Sequence, residues 1–170
     1  RTIREMLERI FSVRDPLFVD ARTETGLVYD YPHPAEIGAD RIVNAAAGIA
    51  LYGKPLILVD FGTATTFCCV SADGAYLGGE ILPGVGISLQ ALTSRAAKLS
   101  SVSIGRPAAA IGKSTTEGMI AGLYYQTVGA IEKITAELVR EMGSPRPRVI
   151  ATGGFAGLFR DGSECIDVID

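Results

Sequence analysis

Asp60 closes a run of four apolar residues, Leu56-Ile57-Leu58-Val59, and is followed by Phe61-Gly62-Thr63-Ala64-Thr65-Thr66. Such a run fits a strand covered on both faces, which then turns through glycine into hydroxyls. A carboxylate, free backbone N–H groups and threonine hydroxyls would then meet at one strand end. A metal-complexed polyphosphate needs that set: donors for its oxygens and an acidic ligand for its cation. The plainer reading is a polar hairpin turn in which Asp60 closes the strand as an Asx-turn. Two more glycine turns follow expected strands, at Gly78-Gly79 and at Thr152-Gly153-Gly154. Glycine lets backbone amides approach a ligand closely, at an entropic cost that an ordinary turn need not carry. Three such turns in one unit, one bearing an aspartate, favour nucleotide phosphate, with cation ligation as the sharper role for Asp60.

Gly38-Ala39-Asp40-Arg41 sets an acid beside a base at a helix start. By default Asp40 complements the helix dipole and Arg41 is a solvated charge. Next to a phosphate site the pair could do more. A carboxylate can accept the proton of a primary alcohol attacking a phosphoryl group, and a guanidinium can hold a substrate carboxylate with two hydrogen bonds. Ser114, Thr115 and Thr116 with Glu117 mark another helix start, where a hydroxyl is ordinarily an N-cap. Gly112-Lys113-Ser114-Thr115 ends like a P-loop, but Pro107 stands where the first glycine belongs and no buried strand precedes it. Gly84-x-Gly86 has Leu89 where a dinucleotide fingerprint requires glycine. His33, the only histidine, has no cysteine or serine partner at a telling spacing, which disfavours Ser-His-Asp chemistry.

The elements that must position these groups alternate. A first helix over Thr2 to Ile10 places Ile3, Met6, Leu7 and Ile10 on one face, and a short strand is expected at Leu17-Phe18-Val19. Thr23 to Pro34 reads as loop, and a helix from Glu36 to Leu51 stops at Gly53-Lys54-Pro55. Strands are expected over 56–60, 65–71 and 75–82, with Ala72-Asp73-Gly74 as a hairpin turn. Pro83-Gly84 opens a helix over 86–98, and Ser100 to Ala110 is irregular. A long helix over 115–142 keeps a 3.6 period through Ile120, Leu123, Val128, Ile131, Leu138 and Met142, and Gly118-x-x-x-Gly122 predicts a close helix contact. It stops at Gly143-Ser144-Pro145, and a last strand, Val149-Ile150-Ala151, runs into the Thr152-Gly153-Gly154 turn and a short helix. The order argues for mixed α/β architecture.

Bulk composition narrows the function. With 48% hydrophobic and 21% charged residues the chain is globular, and a net charge of −3 without a basic run excludes nucleic acid and anionic membranes as first partners. No apolar run approaches the ~20 residues that span a bilayer. Cys68, Cys69 and Cys165 form neither a metal spacing nor a disulfide framework, so they read as reduced packing residues of a cytoplasmic protein. The chain opens in helix without an initiator Met and reads as a fragment.

Taken together, Tyr31, Glu36 to Asn44, Val59 to Thr66, Tyr76-Leu77-Gly78-Gly79 with Leu82-Pro83-Gly84, Ile111 to Thr115, and Ala151 to Gly154 resemble type III pantothenate kinase in order and spacing across nearly the whole chain. The resemblance implies the acetate and sugar kinase/Hsp70/actin superfamily, with two ribonuclease-H-like domains facing a cleft. Residues 1–54 would close an incomplete first domain, and residues 55–170 would form most of the second. It implies ATP-dependent phosphorylation of pantothenate at the first step of coenzyme A synthesis, with Mg²⁺, a monovalent cation (K⁺ or NH₄⁺) and a homodimer. Asp40 would be the base; Tyr31, Gly38, Ala39, Asp40, Arg41 and Thr115 would line the pantothenate pocket. Asp60 would ligate the monovalent cation, while Gly62, Thr63, Thr152, Gly153 and Gly154 would contact ATP.

The family's initial Asp-x-Gly-Asn-Thr phosphate loop has no match here, and Cys68 stands where an acid is common. Two other readings stay open at this stage. One is a non-catalytic transcription accessory factor of the same fold; the other is a kinase for acetate or a sugar. Intact Asp40, Arg41, Asp60 and Thr63 favour an enzyme over the first, and Gly38 to Arg41 with Tyr31 favours pantothenate over the second.

Overall fold

The computed structural model describes residues 3–13, 15–94, 102–143 and 145–170. In chain order the elements are α1 (Ile3–Phe11), β1 (Val28–Tyr29), a 3₁₀ turn (Pro34–Glu36), α2 (Ala39–Tyr52), β2 (Leu56–Phe61), β3 (Ala64–Val70), β4 (Ala75–Gly78) and β5 (Ile81–Pro83). They continue with α3 (Val85–Ser94), α4 (Thr115–Met142), β6 (Arg148–Thr152), α5 (Ala156–Phe159) and β7 (Val168–Ile169). One sheet runs in the order β1-β4-β3-β2-β6-β7, with β5 paired to β3 beyond β4. β3 runs against β2 and β4, whereas β6 lies parallel to both β2 and β7.

The pleat sorts the central strands between two cores. Ile57, Val59 and Phe61 of β2 join Phe67 and Cys69 of β3 and Val149 and Ala151 of β6 on one face. That face is covered by α4 through Leu123, Tyr124, Val128, Ile131 and Leu138. Leu56 and Leu58 join Cys68, Val70, Tyr76 and Ile150 on the other, under Ile42 and Ala45 of α2. Both faces of β2 are therefore dry, which explains its unbroken apolar run. Phe61 stacks on Phe159 of α5 at 5.2 Å between ring centroids, and Tyr124 meets the same ring at 5.6 Å. Helices on both sides of a mixed sheet make this the α/β architecture that the resemblance implied.

Four expectations change. Leu17-Phe18-Val19 forms no strand: Leu17 is 78% exposed and no partner strand reaches it. The loop over 23–34 contains β1, an edge pair whose register partners are Ala75 and Tyr76. The strand over 75–82 divides into β4 and β5 because the chain kinks at Gly78 and Gly79. Gly79 has φ +156°, and a Cβ there would lie 2.6 Å from the carbonyl carbon of Phe67. Among the described residues Gly118 and Gly122 make no close helix contact; the space where their Cβ atoms would stand is open. The helix opened by Pro83-Gly84 is α3, and its expected end over 95–98 lies outside the described residues, as do Ser144 and Thr2.

Candidate active site

Strand register assembles the polar row. Asp60 is opposite Thr66 of β3 on one side and Thr152 of β6 on the other. It is in phase with Leu56 and Leu58, so its side chain leaves the sheet on the α2 face, and Thr66 and Thr152 share that phase. A hydroxyl, a carboxylate and a hydroxyl thus stand side by side where three strands end.

Two neighbours set the Asp60 carboxylate. Asn44 Nδ2 of α2 donates to Oδ2 at 3.0 Å. Oδ1 turns toward the glycine turns: a Cβ on Gly153 would lie 2.5 Å from it, and one on Gly62 would lie 3.5 Å away. Gly153, at φ +91°, also passes so close to Phe61 that its Cβ would sit 2.8 Å from the backbone C and N of that residue. The Gly62-Thr63 turn is clamped from behind by Gly84, where a Cβ would stand 2.6 Å from the Gly62 carbonyl oxygen. Oδ1 therefore occupies a cradle that a methyl group would fill. One carboxylate oxygen among hydroxyls and carbonyls fits a hard, oxygen-liganded cation. Among the described residues no group of three or more His, Cys, Asp or Glu could hold a metal ion, so a cation here would take neutral oxygens as well.

The start of α2 faces the same end. Gly38 is the N-cap in an extended conformation, and its carbonyl accepts from the N–H groups of Arg41 and Ile42. Asp40 Oδ1 folds back over Gly38, into the space a Cβ there would take. Asp40 is exposed and Arg41 half-buried, with Arg41 Nη2 donating to the Glu36 carbonyl at 3.2 Å. Asp40 and Asn44 are four residues apart, so they share one flank of the helix, and Asn44 carries that flank onto Asp60. Cys68, beneath them, reports the gathering of charge. Burial pushes its thiol up; the Tyr76 hydroxyl and Arg41 oppose that shift, while Asp40 and Asp60 add to it. Tyr76 donates to Cys68 Sγ at 3.7 Å, and its own hydroxyl is pushed up, mainly by burial. Tyr31 meets Tyr76 edge-on at 6.0 Å and packs over Gly78.

Thr115 belongs to another layer. Leu138 and Met142 lie beside Cys69 and Leu77, while Thr127 lies beside Thr65 and Leu82, so α4 runs against β2 with its start toward the Asp60 end. Tyr124 packs on Phe159 at 5.6 Å. Thr115 is nine residues earlier, ~13 Å further along the axis at 1.5 Å per residue. It is exposed, and the cap role falls to Ser114, whose Oγ accepts from Glu117 N at 3.2 Å. Glu117 in turn accepts from Lys113 N at 2.7 Å, so the P-loop-like residues close on themselves.

The structure thus gathers Asp40, Arg41 and Asp60 with the Gly62-Thr63 and Thr152-Gly153-Gly154 turns. Thr115 stands on an overhang of the opposite layer. Asn44 and Thr66 were missed as site residues. Thr66 was legible from the period of two that fixes Cys68 and Val70, and Asn44 from being the lone amide in an apolar helix.

A family model described as type III pantothenate kinase matches residues 1–137. A type III pantothenate kinase from Bacillus cytotoxicus is 48% identical over 168 residues, which cover 99% of this chain and 63% of that protein. Among solved structures, a protein from Campylobacter jejuni described as a Baf family transcriptional activator is 20% identical with a TM-score of 0.55. That match covers 84% of this chain and 61% of the other and carries the fold alone. The chain therefore spans less than two thirds of either relative.

Proposed function

The chain belongs to the type III pantothenate kinase family, and from that premise we propose that the complete protein transfers the terminal phosphoryl group of ATP to the primary hydroxyl of pantothenate. The products are 4'-phosphopantothenate and ADP, at the first step of coenzyme A biosynthesis. Asp40 accepts the hydroxyl proton as the alcohol oxygen bonds to the γ-phosphorus and the bond to the ADP oxygen breaks. Arg41 faces the pantothenate carboxylate, and Gly38, Ala39 and Tyr31 line the pocket, while Thr115, in the opposite layer of this chain, would join it from the second copy in the homodimer. Thr63, Thr152, Gly153 and Gly154 offer N–H and hydroxyl donors to the nucleotide, and Gly62, whose own N–H is taken by the Ala64 carbonyl, lets the backbone approach it. Asp60 Oδ1 holds a monovalent cation, K⁺ or NH₄⁺. Mg²⁺ bound with the nucleotide supplies neutralisation of phosphate charge.

The observation that carries this reading is the Asn44–Asp60 hydrogen bond. It ties the helix start bearing Asp40 and Arg41 to the strand end with the glycine turns, which is where a hydroxyl and a terminal phosphoryl must meet. We read residues 1–54 as the end of a first ribonuclease-H-like domain and residues 55–170 as most of the second, in a cytoplasmic homodimer. A coupled ADP-release assay on the full-length protein tests the function. Pantothenate-dependent turnover that falls on removing K⁺ supports it, and turnover with acetate or glucose instead overturns it. Asp40→Asn should lower kcat by ~10²–10⁴ with nucleotide affinity little changed, the range for a lost positioned base. Near-wild-type turnover would leave Asp40 a first-turn helix acid.

A further inference from the structure

We propose that Asn44 is a positioning residue: it orients the Asp60 carboxylate for the monovalent cation and ties that carboxylate to the helix that carries Asp40. The inference rests on the reading of Asp60 as the cation's ligand. A carboxylate can turn about its last side-chain bond and offers about four lone-pair directions. Pinning Oδ2 to the Asn44 amide at 3.0 Å fixes the plane, and Oδ1 is thereby directed into the cradle beside Gly62 and Gly153. Among the described residues no other side chain donates to Asp60. An amide is suited to this task because it is neutral. It directs the oxygen without cancelling the charge the cation needs, whereas a lysine or arginine would compete with the cation for the same carboxylate.

The reach depends on how closely α2 sits on the sheet. Ala45 is fully buried, and Gly48, one turn past Asn44, lies so near β2 that a Cβ would be 2.8 Å from Leu58 Cδ2. At that spacing a short amide spans the gap between helix and strand end. Asn44 is half-buried and follows Asp40 by one turn on the same flank. Cation site and base are therefore linked through one side chain.

The test measures thermal denaturation of the full-length protein against KCl at constant ionic strength, so that binding is read without turnover. Asn44→Ala should raise the K⁺ concentration for half-maximal stabilisation roughly 10–100-fold, the usual effect of losing a partner that orients a metal ligand. Asn44→Ser, polar but too short to reach, should match it. The double exchange Asn44→Asp with Asp60→Asn restores an amide–carboxylate bond yet moves the charge onto the helix, so it should not recover K⁺ affinity. The proposal is overturned if Asn44→Ala or Asn44→Ser titrates within twofold of wild type while Asp60→Ala has lost the response, or if the double exchange regains wild-type affinity. A wild-type response in Asp60→Ala, or no K⁺ response in the unaltered protein, overturns the reading of Asp60 and this inference together.

Discussion

Gly153→Ala is the most demanding test of the site's construction, because two independent penalties converge on one atom. The residue sits at φ +91°, where an L side chain crowds its own backbone; that conformation costs ~1–2 kcal/mol. The added methyl would also stand 2.8 Å from Phe61 C and N and 2.5 Å from Asp60 Oδ1. Phe61 is held in the core against Phe159, so the neighbour that must yield is backbone of the central strand. Overpacking of this kind costs ~1–3 kcal/mol. Against both stands a gain of ~0.4–1 kcal/mol from a stiffer unfolded chain. The net loss is about 1–5 kcal/mol. The adjacent Gly154→Ala is the internal control: no heavy atom lies within 4 Å of its Cβ position and its φ is ordinary. It carries only the unfolded-state gain, so its stability should be unchanged or raised by up to ~1 kcal/mol. Urea denaturation of both variants, with the slope unchanged, reads the difference directly as a shift in midpoint. A Gly153→Ala protein as stable as Gly154→Ala would refute the account of how the two turns and Asp60 fit together.

Two further outcomes are expected. Ser114→Ala removes the acceptor for Glu117 N and should cost ~1 kcal/mol by chemical denaturation; a neutral result would show that Glu117 alone caps α4. Burial raises the Cys68 thiol and pushes Cys69 up to about 12, and only the thiolate is nucleophilic. At pH 8 both are protonated and covered, so iodoacetamide should modify Cys165 alone in the folded chain and all three cysteines in urea. Mass spectrometry showing Cys68 labelled as fast as Cys165 would contradict the packing of β3 beneath α2.

Much of the frame was legible because strong periodicity survives without tertiary help. The helix over 115–142 coincides with α4, since its apolar residues recur at 3.6 and glycine follows Met142. Leu56 to Val59 announced β2 for the same kind of reason: a strand dry on both faces writes its burial into consecutive residues. Short edges were not legible. β1 and β7 hold two residues each and exist only because longer strands lie beside them. Leu17 to Val19 has strand-like composition but no neighbouring strand among the described residues, so it does not join the sheet.

For the site, residue types singled out Asp40, Arg41, Asp60 and the glycine turns as candidates, each beside a plainer reading as first-turn acid, solvated charge or Asx-turn, and the resemblance supplied their roles. Which of these groups meet was decided by packing. Strand register put Thr66 and Thr152 beside Asp60, the close seat of α2 on Leu58 brought Asn44 within bonding distance, and the direction of α4 put Thr115 in a separate layer. Periodicity is a property of neighbours along the chain and is written there. Contacts between residues 16 or more positions apart depend on how helices settle on a sheet, and only the folded chain expresses that.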